Sequence, residues 1–193
     1  RDDMGNVYID REGNISRNTN IGYKKIGSVF SKANMAWSNE FDIAGVNFGF
    51  MISARLGGIA YSATQAYLDN FGVSETSALA RDNGGVNVDG YTIAADKWFS
   101  TVGANGGIPQ YYTYDATNVR LQEAHIGYTI PRKKLGGIMD ITLSLVGRNL
   151  WMIYCKAPFD PESIATAGNY YQGIDQFMMP STRNVGFSLR LKF

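Results

Sequence analysis

The chain has 193 residues, 45% hydrophobic and 18% charged, with a formal net charge of +1. That length suits one sizeable domain, and the near-neutral balance lacks the basic excess that a nucleic-acid partner requires. A single cysteine, Cys155, excludes an internal disulfide and a cysteine metal site, and no apolar run approaches the ~18 residues of a transmembrane helix. The 22 glycines, 12 tyrosines and 10 phenylalanines suit β architecture better than a helix bundle.

The N-terminus opens Arg1-Asp2-Asp3, which does not resemble a signal peptide. Val7, Tyr8 and Ile9 predict a short strand, turning at Glu12-Gly13-Asn14 and returning from Ile15. Asp10, Glu12 and Asn14 alternate as oxygen ligands do in a calcium loop. The glycine, however, sits at the fourth position of the loop rather than the sixth, which favours a solvated hairpin turn. Residues 30–41 alternate, with Ala33, Met35, Trp37 and Phe41 on one face. After a break at Asp42-Ile43-Ala44-Gly45, Val46, Phe48, Phe50, Ile52 and Ala54 line one face of a second run. The pair reads as a long hairpin whose arms match the roughly 9–11 residues of a tilted strand crossing a bilayer.

Residues 56–113 change character, with helix-compatible stretches over 64–81 and glycine-rich punctuation at 82–85 and 103–107. A connection of that length is usually functional. It carries Trp98 and Phe99, for which core packing and ligand contact are both open, and it closes on Tyr111, Tyr112 and Tyr114. Residues 118–130 form the next predicted strand. Ala124, Ile126, Tyr128 and Ile130 share a parity that Val119 and Leu121 do not, which points to a bulge near Gln122. Residues 139–154 form a fourth long strand, with Ile141, Leu143 and Leu145 on one face, and a loop over about 155–180 follows.

The final twelve residues, TRNVGFSLRLKF, alternate without interruption. Val185, Phe187, Leu189, Leu191 and Phe193 face one way; Asn184, Gly186, Ser188, Arg190 and Lys192 face the other. Such a ribbon on a soluble edge would invite association, whereas a transmembrane barrel turns its apolar side to lipid and its polar side to the lumen. Connections alternate short and long, as periplasmic turns and extracellular loops do. The expected fold is therefore all-β: strands of a large antiparallel transmembrane β-barrel, with extracellular loops at about 56–113 and 155–180 and the C-terminus periplasmic. Five long strands are too few to close, since small barrels start at about eight.

Four ordered motifs support this architecture: YTYDATNVRLQEAHIGYTIP (112–131), SLVGRNLWMIY (144–154), FDPE (159–162) and PSTRNVGFSLRLKF (180–193). With YLDNFGVSETSALARDNGGVNVDG (67–90), they resemble the C-terminal end of SusC/RagA-type TonB-linked outer-membrane proteins, over essentially the whole chain. His125 departs from the small or polar residue usual at its place. The resemblance implies a 22-stranded barrel with an N-terminal plug, of which residues 1–193 supply the last strands. It implies import of glycan oligomers or peptides across the bacterial outer membrane. The implied partners are a SusD-like surface lipoprotein and the TonB complex, reached through a plug that this sequence does not contain, together with the remaining barrel strands and outer-membrane lipid.

Catalytic chemistry is not indicated. One histidine excludes His-pair metal motifs, no serine sits in a G-x-S-x-G setting, and the glycine-rich 103–107 stretch does not join a strand to a helix. Asp160 and Glu162 read as solvated or turn-forming. Arg120, Arg148, Arg183 and Arg190 are expected on the lumen side, Arg148 and Arg183 pairing with carboxylates of neighbouring strands. The expectation is a non-enzyme without cofactors, in which Tyr67, Trp98, Phe99, Tyr111 and Tyr112 contact substrate or lid, because aromatic faces stack on sugars and pack on peptides. A soluble or surface carbohydrate-binding β-sandwich is the alternative; its strands would average five to six residues. A passive porin or adhesin barrel is a third reading.

Overall fold

A computed structural model describes residues 7–18, 24–163, 168 and 171–193. The Arg1-Asp2-Asp3 opening and part of the 155–180 loop lie outside the described residues. In chain order the elements begin with strands β1 (Val7–Ile9), β2 (Ile15–Arg17), β3 (Ala33–Ile43), β4 (Val46–Leu56) and β5 (Ile59–Ser62). Helices α1 (Ala63–Asn70) and α2 (Glu75–Asp82), strands β6 (Val86–Val88) and β7 (Tyr91–Ile93), and helix α3 (Ala95–Val102) follow. The chain then runs through β8 (Thr113–Asp115), β9 (Asn118–Ile130), β10 (Asp140–Cys155), β11 (Ile174–Asp175) and β12 (Asn184–Lys192). Among the described residues no helix is long and apolar enough to cross a membrane. The chain divides into two compact units.

One unit draws on residues 30–58, 115–163 and 179–193. It is a five-stranded antiparallel sheet in the order β12-β10-β9-β4-β3. The sheet is open, with β12 and β3 as its edges. The expected break after Asp42 narrows to a two-residue turn, Ala44-Gly45, with φ of 54° and 86°. Two left-handed residues in succession match the right-handed twist of the flanking strands, which is why a hairpin this tight forms here.

Register explains the mixed parity of β9. Glu123 pairs with Met51 and Leu121 with the next residue, Ile52, so the register skips Gln122, whose side chain accepts from Ser53 Oγ at 3.4 Å. That bulge moves Leu121 and Val119 onto the face already occupied by Ala124, Ile126 and Tyr128. β10 compensates with its own shifts between Arg148 and Trp151 and between Met152 and Tyr154. Residues opposite one another in an antiparallel pair share a face. One face of all five strands is therefore apolar: Met35, Trp37 and Phe41 of β3, Phe48 and Ile52 of β4, Ile126 and Tyr128 of β9, Leu143, Leu145 and Trp151 of β10, and Phe187 and Leu189 of β12. All of these side chains but the half-buried Ile52 are exposed; Trp37 and Trp151 are each 61% exposed and Phe187 83%. The opposite face is polar and cross-linked. Asn47 donates to the Thr129 hydroxyl at 3.2 Å, Thr129 and Thr142 share a hydrogen bond of 2.9 Å, and Arg148 pairs with Glu123 at 3.1 Å.

The other unit draws on residues 1–29, 59–114 and 164–178. Its core is Val7, Ala66, Ile93, Ala95, Trp98, Phe99, Val102, Ile108 and Tyr112, with Ile9 and Ile15 packed against it. The β1–β2 hairpin forms as expected, and its Val7 is fully buried. The Asp10 carboxylate accepts from the backbone N–H groups of Glu12 and Asn14 at 2.9 and 2.7 Å and from the Asn14 amide at 3.0 Å. It closes the turn on itself, and those bonds hold its carboxyl below the ordinary value. The helical stretch over 64–81 is two helices. Ser62 Oγ accepts from Gln65 N at 3.1 Å to cap α1, and Ser74 Oγ accepts from Ser77 N at 3.0 Å to cap α2. A third helix, α3, carries the aromatic pair at 98–99; its burial of Ala95, Trp98, Phe99 and Val102 follows helical spacing.

Candidate functional site

The five aromatics expected at the site part company. Trp98, Phe99 and Tyr112 are core side chains, 6%, 6% and 3% exposed, and core packing was one of the two readings open for Trp98 and Phe99. The amphipathic period of α3 turns the first two inward. Burial, reinforced by the negative charge of Asp69, pushes the Tyr112 phenol far above its ordinary value. Tyr111 is half-buried and meets Trp98 edge to face, with centroids 5.3 Å apart. Tyr67 remains at a surface. With Leu68, Phe71, Val73, Gln176 and Phe177 it lines a shallow groove of about 280 Å³, and its ring lies 6.0 Å from that of Phe177.

Phe71, Val73 and Phe177 of that groove are 74%, 69% and 60% exposed. They were missed in the sequence, although Phe177-Met178-Met179 is an apolar run inside an otherwise polar loop. The Phe177 backbone N–H donates to Thr64 Oγ1 at 2.6 Å, which fixes the 171–178 segment against the start of α1. Beneath, Ser62 Oγ donates to the buried Asp175 at 2.8 Å, a second tie between the same two segments.

A neighbouring cleft of about 380 Å³ is lined by Asp69, Gly72, Ser77, Arg81, Asp96 and Phe99, among others. Asp69 is buried and accepts from the Gln65 side chain at 2.8 Å and from Ser74 Oγ. Arg81 is committed to the Gly72 carbonyl at 2.7 Å. Among the described residues no group of His, Cys, Asp and Glu is arranged to hold a metal ion.

In the sheet unit, the recognisable motifs converge on one side chain. Arg120 is 2% exposed and lies 2.9 Å from Asp160 and 3.3 Å from Glu162. It also reaches Asn118 and Asn149, each at 3.4 Å. Asp160 accepts in addition from Ser181 Oγ and from the Glu162 backbone N–H at 3.0 Å. Asn149, with φ of 52° in the β10 bulge, donates to Ser181 Oγ at 2.8 Å. Burial raises the Asp160 pKa; the bonds from Ser181, Arg120 and the Glu162 amide outweigh it and leave the carboxyl below its ordinary value. Asp160 thus forms the turn, one of the two roles expected, but as the buried partner of an arginine rather than a solvated acid. The two are 40 residues apart, and only the β9–β10 pairing brings them together.

Arg148 pairs with Glu123 as expected for neighbouring strands, whereas Arg183 makes no ion pair among the described residues. His125 lies on the polar face over Gly49, where an added Cβ would come within 2.6 Å of its ring.

No protein-family model matches this chain. No curated protein matches it in sequence. Solved structures do match in fold. The RagAB peptide importer in its closed-closed state superimposes with a TM-score of 0.63 at 17% identity over 96% of this chain. The fold is shared with RagAB. The open-open state of the importer gives 0.65 at 15% identity over 97% of this chain, and a further structure, of the RagAB peptide transporter, gives 0.62 at 17% over 96%. In each case the match occupies 20% of the RagAB chain, so this chain spans about a fifth of the length of the structures it matches.

Proposed function

We propose that this chain forms the C-terminal part of the wall, and the adjoining outer loops, of a SusC/RagA-type TonB-dependent importer in a bacterial outer membrane. One observation carries the reading: an uncovered apolar face runs without interruption across five strands of 9 to 16 residues, kept in phase by the Gln122 bulge. A face of that extent exposes far more apolar surface than a soluble monomer tolerates, and lipid satisfies it. The polar face, with Arg148–Glu123 and the Asn47–Thr129–Thr142 ladder, then faces the lumen. The RagAB likeness favours peptide over glycan as cargo, and the resemblance of the four ordered motifs implies a surface lipoprotein as partner. In this reading the role is transport without catalysis, TonB acts through a plug, and Phe193 ends in the periplasm. Tyr67 and Tyr111 remain the proposed loop contacts.

A carbohydrate-binding sandwich would bury the apolar face against a second sheet, and the exposure of Trp37, Trp151 and Phe187 counts against it. Fractionation of the intact gene product tests the reading. Extraction from the outer membrane should require detergent; recovery in the soluble fraction without it would overturn the proposal.

A further inference from the structure

The short-turn end of the five-stranded sheet carries a charge pattern that transport does not use. The turn between β9 and β10 presents Arg132, Lys133 and Lys134 in succession, all exposed. Arg190 and Lys192 of β12 lie at the same end but on the polar face, Lys192 directly opposite Asp140, and are not part of the lip. Two carboxylates share the region. Asp140 is engaged, accepting from the Arg132 backbone N–H at 2.6 Å and its guanidinium at 3.0 Å. Asp42 lies on β3, two strands away from β9. Lys133 and Lys134 make no ion pair among the described residues. Immediately after them Ile138, 66% exposed, leads into Ile141, where the apolar face of β10 begins.

A basic lip bordering an apolar face matches the layering of an anionic bilayer, with hydrocarbon against the face and phosphate against the lip. We propose that the Arg132–Lys134 turn binds the headgroup phosphates of anionic phospholipids in the leaflet that the short turns reach. The inference rests on the membrane reading above. Arg132, tied to Asp140, fixes the turn, and Lys133 and Lys134 make the contact. As flexible point charges, the two lysines suit a mobile headgroup layer better than a single shaped anion site.

The intact protein, extracted in neutral detergent and reconstituted in nanodiscs of mixed phosphatidylglycerol and phosphatidylcholine, provides the test through the lipids that it retains. Wild type retains phosphatidylglycerol preferentially at low salt, and the preference weakens as ionic strength rises. Lys133→Gln with Lys134→Gln lowers it by about thirtyfold, the effect expected of two surface cations near anionic lipid, whereas Lys133→Arg with Lys134→Arg keeps it. Equal retention of both lipids by reconstituted wild type overturns this inference and leaves the importer reading standing. Full displacement of phosphatidylglycerol by inorganic phosphate assigns the lip to free anions and also overturns it. A protein that is soluble without detergent removes both.

Discussion

Replacing Arg120 with methionine removes the hub that joins β9 to the 156–163 turn and to Ser181. Its guanidinium is buried against an Asp160 side chain only 8% exposed, at 2.9 Å, and it also reaches the more exposed Glu162 at 3.3 Å. Breaking a buried pair by deleting one partner costs about 3–5 kcal/mol, because the other charge stays desolvated and unpaired. Asp160 can partly recover by admitting water through the Glu162 side, so the lower end of that range applies. About 3 kcal/mol raises the opening equilibrium of the turn about a hundredfold. The reporters are the amides of Glu162 and Ser163, which donate to the Asp160 side chain and carbonyl at 3.0 and 3.1 Å. Their hydrogen exchange in the detergent-solubilised protein should accelerate by about that factor, while amides in the middle of β10 stay protected. Arg120→Met combined with Asp160→Leu should recover most of the protection at Ser163, whose acceptor is the backbone carbonyl, since a matched apolar pair removes the stranded charge; Glu162, whose acceptor is the Asp160 carboxylate, stays fast. Unchanged exchange at Glu162 and Ser163 in Arg120→Met, with the sheet intact, would refute the clamp.

Four further outcomes follow from the same geometry. Gly127→Val should abolish recovery of folded protein, because a Cβ there would sit 2.2 Å from Ser144 Oγ, 2.5 Å from Asn47 Oδ1 and 2.9 Å from the Leu143 carbonyl, all across the β4–β9–β10 pairing; heat-modifiable mobility on gels reads this out, and wild-type recovery would count against the register. Trp98→Ala should cost the loop unit about 3–5 kcal/mol, the usual toll for an emptied aromatic core site, seen as protease sensitivity over 59–114. Tyr67→Ala should leave protease resistance unchanged and weaken partner or substrate binding; the reverse pattern would refute the division between core and surface. Asp115 is held at about 2, below the ordinary carboxylate value of 3.8, by the Thr117 hydroxyl and amide and by Lys156. Because the folded value is the lower one, its stabilising effect is complete above pH ~4 and is lost as pH falls from about 4 to about 2. An NMR titration of the Thr117 amide should shift in that window and not near neutrality.

The faces of the sheet were legible in the sequence because side-chain direction in a strand depends only on parity. Alternation over 30–41, 46–54 and 184–193 placed Trp37, Phe48 and Phe187 on the surface they occupy. The parity change across Gln122 located a bulge before any register was known. Pattern could not show which helix face would find a core, so the packing of Trp98, Phe99 and Tyr112 with Val7 and Ile93 was not legible in it. Nor could it bring Phe177 to Tyr67, or Asp160 and Ser181 to Arg120. Periodicity is a property of a few consecutive residues, whereas burial and ion pairing depend on segments that meet only after strands far apart in the chain have paired. The alternating ribbons were therefore determined by the sequence alone, and the buried arginine clamp and the aromatic groove were decided by the tertiary structure.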